Sequence, residues 1–244
     1  MFALTVSLLL TSEPAIGAEA RVAVASNFIA TAKEIARAFE EQTDHRVVIS
    51  SGSTGQIFAQ ITQAAPFEVF LAADAWRPQL TVSEGYGVDG SVFTYATGSL
   101  VLWSKEPDLV EGLDTLENGL FQRLAIANPD IAPYGHAAIQ VLETAGVLDA
   151  VDPRLVRGNN IAQVYQFVVT GNADLGFVAA SQIDDSVEGS SWSIPASYHD
   201  PIRQDAVLLK RGEANPAARA FWEFLQGPSA RQIIVDNGYM VDQD

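Results

Sequence analysis

Four short stretches of this sequence carry small hydroxyl or amide side chains, three of them beside glycine or proline: Ser26-Asn27, then SSGSTG (50–55), NPDIAPYG (128–135) and GNNIAQ (158–163). Each falls where a β-rich apolar run gives way to residues at helical spacing, so each reads as a strand-to-helix junction. In the second stretch Ser53 and Thr54 precede the helix, while Gly52 and Gly55 permit close backbone approach. The third leads into a helix at Tyr134 and Gly135, the fourth at Ile161. A helix start carries unpaired N–H donors and a partial positive charge, so it holds an oxyanion without any charged side chain. Capping alone accounts for any single junction. Four junctions at the carboxyl ends of strands, in two lobes that face each other, point instead to one shared ligand site. None of the four contains Lys or Arg. A fully deprotonated tetrahedral oxyanion suits such donors, whereas protonated phosphate would want a carboxylate acceptor, for which Asp74 and Asp130 are the nearby candidates.

The elements that must carry these junctions alternate strand and helix, the pattern of βα units and a largely parallel sheet. RVAVA (21–25) reads as a buried strand, and Phe28, Ala32, Ile35 and Phe39 after it share one helical face. RVVIS (46–50) is the next strand, Ile57, Ile61 and Ala64 mark a second helix, 67–71 a third strand and 74–83 a third helix. GYGVDG (85–90) has the glycine spacing of a dinucleotide fingerprint but follows a helix, so it is read as a helix end and turn. A second series begins at SLVLW (99–103): LAIA (124–127) before a helix over 135–145, LVRG (155–158) before 161–169, then LGFVA (175–179). AVLLK (206–210) is a late strand, and helices over 216–225 and 228–237 close the chain. The expected fold is α/β with two similar lobes, each a mixed, mostly parallel sheet flanked by helices, with a ligand cleft between them. The expected division is 21–97 in lobe one, 98–202 in lobe two and 203–244 returning to lobe one.

Composition narrows the function classes. The 244 residues are 48% hydrophobic and 18% charged, as in a globular protein. With 14 Lys+Arg against 30 Asp+Glu the formal net charge is −16, which argues against nucleic acid as a partner, because that binding rests on neutralising phosphates. The absence of cysteine removes thiolate metal sites and cysteine nucleophiles. HExxH, GxxxxGK[ST], GxSxG and EF-hand signatures are absent too, and none of His45, His136 and His199 has a metal-like partner at i+3 or i+4. No catalytic residue, cofactor or direct metal ligand is therefore assigned. At the start, residues 2–10 form an apolar run of signal-peptide length, followed by Pro14 and the small residues Ala15, Gly17, Ala18 and Ala20. Residues 1–20 are expected to be a signal peptide, which places the rest of the chain in the periplasm.

Beyond these local readings, the sequence resembles the periplasmic molybdate-binding proteins of ABC importers, a branch of the type II periplasmic solute-binding proteins. The segments that carry the likeness are VAVASNF, SSGSTGQIFAQI, FEVFLAADAWRP, LAIANPDIAPYGHAA, GNNIAQVYQFVVTGNADLGFVAASQ and FWEFLQGPSARQIIVDNGY. The resemblance implies the two-lobed type II fold, binding of molybdate or tungstate between the lobes, and delivery to an ABC permease in the inner membrane by a monomer. It assigns the oxyanion contacts to Ser26 and Asn27, Ser53 and Thr54, Tyr134 and Ile161, the last two acting mainly through backbone N–H groups. Two positions depart from some members: Thr54 stands where serine is frequent, and Ala179 where a tyrosine hydroxyl is found. Asn27 is the expected replacement for that missing donor. The alternatives are a binding protein for another oxyanion such as sulfate, or a ligand-sensing regulator on the same fold.

Overall fold

The computed structural model describes residues 17–183 and 188–241. Most of the expected signal peptide lies outside them. Lobe one opens with β1 (Glu19–Ala25), a 3-10 turn over Ser26–Phe28 and α1 (Ile29–Gln42), then β2 (Arg46–Gly52), α2 (Thr54–Thr62), β3 (Val69–Leu71), α3 (Trp76–Ser83) and β4 (Phe93–Gly98). The chain passes through Ser99 alone into lobe two: β5 (Leu100–Ser104), α4 (Leu113–Asn118), β6 (Leu124–Ala127), α5 (Pro133–Thr144), α6 (Leu148–Val151), β7 (Leu155–Gly158), α7 (Ile161–Val169), β8 (Leu175–Ala179) and β9 (Ser190–Ser193). It then returns through β10 (Ile202–Leu208), α8 (Pro216–Leu225) and α9 (Pro228–Asp236).

The two five-stranded sheets have orders β2-β1-β3-β10-β4 and β7-β6-β8-β5-β9. In each, a central strand has a parallel neighbour on both sides: β1 between β2 and β3, β6 between β7 and β8. The remaining pairings, β10 with β3 and β4, β5 with β8 and β9, are antiparallel. Successive βα units that move to opposite sides of a central strand open a crevice at its carboxyl end, where α/β sheets bind ligands. All four junctions lie at carboxyl ends of parallel strands: after β1, β2, β6 and β7.

Apolar patterning explains how the layers close. Ala32, Ile35, Ala36 and Phe39 of α1 are buried with Val22, Val24 and Phe221 of α8 on one face of the first sheet, while Ile57 and Ile61 of α2 cover Phe70 and Val207 on the other. In lobe two, Val141 and Leu142 of α5 and Val164 and Val168 of α7 pack with Ile126 and Phe177. Among the described residues no helix is long and apolar enough to cross a membrane.

Some expectations are revised in detail. Strand β1 begins before Arg21: Glu19 pairs with Arg46, and Ala20, fully buried, pairs with Val47. The last two residues of the 1–20 segment therefore belong to the sheet, because Ala20 completes its apolar face. The stretch 85–90 is, as expected, a helix end and turn, with Gly85 at φ +83° after the end of α3 and Gly90 at φ +75°, and a strand, β4, rather than a helix follows it. Strands β4 and β9 and the short helices α4 and α6 come in addition to the expected elements.

Candidate functional site: a neutral cavity between the lobes

Ser26, Asn27, Ser53, Thr54, Tyr134 and Ile161 all line one small cavity, together with Ala25, Ala73, Ala132 and Pro133. Neither a cationic nor an acidic side chain belongs to this lining. Both lobes contribute, lobe one through the turn after β1 and the start of α2, lobe two through the starts of α5 and α7.

At these helix starts several donors are already used within the protein, which narrows the set left over. In α2 a capping box engages Ser53 N–H with Gln56 Oε1 and Gln56 N–H with Ser53 Oγ, both at 3.3 Å. Gly55 N–H donates across the cleft to the Ile131 carbonyl at 2.9 Å. Thr54 Oγ1 accepts from Ala73 N–H at 3.0 Å. Both hydroxyl oxygens thus act as acceptors within the protein, which leaves each single O–H proton to donate. In α5, Pro133 has no N–H, and Gly135 and His136 donate to the Ala132 carbonyl. Tyr134 is the residue of this first turn whose N–H remains to donate. In α7 the Asn160 cap takes Gln163 N–H at 3.0 Å, and Ile161, at the first helical position, lines the cavity with its own N–H among the orphan donors.

Two side chains behave differently from expectation. Asn27 does not replace the missing tyrosine donor with its amide: Nδ2 donates to Gln204 Oε1 at 2.8 Å and to Tyr239 Oη at 3.2 Å. Two hydrogens have two acceptors, so the backbone N–H is what Asn27 has to offer a ligand. Ala179, in β8, is buried and does not line the cavity. The Tyr134 phenol accepts from Gln204 Nε2 at 3.3 Å. Behind the cavity this network continues. Tyr239 Oη donates to the Asn27 carbonyl at 2.8 Å and lies 2.8 Å from Ser181 Oγ, and Tyr95 O–H shares its proton between the Ala72 carbonyl and Gln204 Oε1. Sequence reasoning missed Gln204, Tyr239, Ser181 and Tyr95; a glutamine and an aspartate, Gln204 and Asp205, opening an apolar run were the available signal.

The acids proposed as phosphate acceptors are elsewhere. Asp74 accepts from the Arg77 backbone and pairs with its guanidinium, which also reaches the Asp130 carbonyl of lobe two at 3.4 Å. Burial raises the Asp74 carboxyl above the ordinary range against the opposing pull of Arg77. Asp74, Arg77, Asp130 and His136 line a larger open groove beside the cavity. His45 accepts from Ala18 N–H at 3.1 Å, a structural role at the foot of β1. Among the described residues no cluster of three or more His, Asp or Glu could hold a metal ion.

Burial also pushes Tyr95 and Tyr134 well above the usual phenol range and Tyr239 up to about 12. A phenol whose pKa is raised by folding stabilises the fold fully below its unfolded value of 10 and loses that contribution as pH rises toward the folded value. Each such group steepens the loss by up to roughly 1.4 kcal/mol per pH unit. Urea unfolding at about pH 9 and about pH 11 should show a marked drop in stability, partly relieved in Tyr239→Phe; a flat profile would contradict the burial of these phenols.

Fold and cavity together are those of a two-lobed α/β protein with an uncharged cavity between its lobes. The chain belongs to the bacterial extracellular solute-binding protein family, whose profile matches residues 20–240. It is 49% identical over 229 residues to the molybdate-binding protein ModA of Rhodobacter capsulatus, covering 94% of this chain and 91% of that one. It is 51% identical over 226 residues to ModA of Azotobacter vinelandii, covering 91% and 90%. The solved structure of the Azotobacter vinelandii periplasmic molybdate-binding protein superposes with a TM-score of 0.88 at 42% identity, over 92% of this chain and all of that one.

Proposed function

We propose that this protein binds molybdate or tungstate in the cavity between its lobes and delivers it to an ABC permease. It works in the periplasm as a monomer and catalyses no reaction. The observation that carries this reading is the cavity lining: six residues with neutral donors, from four strand-to-helix junctions on two lobes, and no acidic or basic side chain among them. The names of the relatives support the choice of ligand. Donors left over at helix starts aim partial positive charge inward. About six charge-assisted hydrogen bonds at roughly 1.5–3 kcal/mol each, less the costs of closure and desolvation, support a dissociation constant in the micromolar to nanomolar range.

Selectivity follows from the same lining. A protonated oxyanion brings an O–H that needs an acceptor, and the cavity presents no carboxylate, so phosphate is disfavoured. Sulfate is fully ionised but smaller, because sulfur–oxygen bonds are shorter than those of molybdenum or tungsten, and fixed donors on two lobes cannot all reach it. Titration calorimetry with molybdate, tungstate, sulfate and phosphate tests the reading. Molybdate and tungstate should bind tightly and the other two weakly. Sulfate binding as tight as molybdate would reject the size argument, and no heat from any of them would reject the site.

Ser26 lines the cavity from the turn after β1 and is 5% exposed. Ser26→Ala should weaken molybdate binding by about 1–3 kcal/mol, the loss of one donor to a charged group. An unaltered affinity would remove its hydroxyl from the ligand contacts.

A further inference from the structure

We infer that Gln204 is a positioning residue of the cavity, its buried amide joining Asn27 of one lobe to Tyr134 of the other so that the donors on both lobes come into register together. This rests on the reading of the cavity as an oxyanion site. Gln204 does not line the cavity and is fully buried, with 0% exposure. Its Oε1 accepts from Asn27 Nδ2 at 2.8 Å and its Nε2 donates to Tyr134 Oη at 3.3 Å. The orientation of the amide is not interchangeable. Tyr239 donates to the Asn27 carbonyl and so receives Asn27 Nδ2, which fixes the Asn27 amide and requires an acceptor, not a donor, on Gln204 opposite it. Only the opposite end of the Gln204 amide then remains for Tyr134.

Two independent features of the backbone serve this contact. Gln204 lies at an irregularity of the β10–β4 ladder, where the register shifts between Gln204 and Asp205; such a bulge re-aims side chains and is frequent beside functional sites. On the facing strand, Gly98 clears the space: a Cβ there would lie 2.0 Å from Tyr134 Oη and 2.6 Å from Gln204 Nε2. Both positions adjoin the points where the chain passes between lobes, at Ser99 and ahead of Ile202. The Gln204–Tyr134 bond therefore crosses the hinge, behind two residues whose backbone faces the ligand. Opening of the lobes that separates Tyr134 from Gln204 breaks this bond, and closure forms it together with the donor set.

The test compares molybdate binding to wild type, Gln204→Met, Tyr134→Phe and the double variant by calorimetry and stopped-flow kinetics. Each single variant should release molybdate roughly tenfold faster with little change in association, because the bond forms only on closure. The double variant should lose little more than the worse single one, since both changes delete the same link. Wild type that binds no molybdate would defeat the oxyanion reading itself. Wild-type binding with unchanged release in both single variants, or losses that multiply in the double variant, would overturn the role of Gln204 and leave that reading standing. Should Gln204→Met fail to fold, Tyr134→Phe decides alone, and unchanged release in it overturns the proposal.

Discussion

Gly135→Ala is expected to abolish tight molybdate binding and to destabilise the protein, although alanine is the better helix former. Gly135 is the third residue of α5, and a Cβ there would lie 2.1 Å from the Ala127 carbonyl oxygen and 2.6 Å from its carbon. Those atoms are backbone at the end of β6, and the next residue is itself held, Asn128 N–H donating to the Gly158 carbonyl at 2.7 Å. Neither side yields cheaply, so the start of α5 must move outward. Overpacking of this kind costs about 1–3 kcal/mol or more, well above the ~1 kcal/mol that alanine regains in helix propensity. Tyr134 moves with the helix, and a donor displaced by about 1 Å no longer meets a ligand oxygen at hydrogen-bond distance. A thermal melt and a molybdate titration of the variant check both effects. A variant as stable and as tight as wild type would show that α5 does not sit where the site requires it.

The second large effect is expected from Ile161→Pro, which deletes one backbone donor while leaving the helix in place. Proline is well tolerated at the first helical position, where the N–H has no intrahelical acceptor. The residue before a proline must be extended, and Asn160 already is, at φ −158° and ψ 171°. The Asn160 cap on Gln163 N–H is untouched. If Ile161 N–H grips a dianion, its removal should weaken molybdate binding by about 1.5–3 kcal/mol. Ile161→Val, which trims one methylene and keeps the N–H, controls for the buried side chain and should bind nearly as wild type. Equal affinities for the proline and valine variants would take the α7 start out of the site.

The outline of the fold was legible because the central strands are continuous apolar runs and their helices carry one clean apolar face, as in Ala32, Ile35, Ala36 and Phe39. β4 and β9 were not: FTYATG and SSWS mix polar and apolar residues, and they are strands because β10 and β5 offer them a ladder. Local propensity does not record such a partner. The junction residues were legible for a related reason, since helix starts announce themselves through caps and glycines. That they share one cavity depends on the matching β2-β1-β3 and β7-β6-β8 orders, which place all four at facing strand ends. The network behind the cavity was hidden. Asn27, Gln204 and Tyr239 are far apart in the chain, and a bulge rather than any periodicity aims Gln204. For the same reason Asn27 was assigned a ligand contact through an amide that the folded protein spends on its own hinge.

The uncharged lining of the cavity has one more consequence, for the protein as a whole particle. With no carboxylate or ammonium at the site to release or take up a proton, an enclosed dianion is not neutralised by its host. Its full charge is added to a molecule that already carries a formal −16. Loaded and empty forms should therefore separate on a native gel, the loaded form running ahead toward the anode, and occupancy could be followed in a mixture by mobility alone.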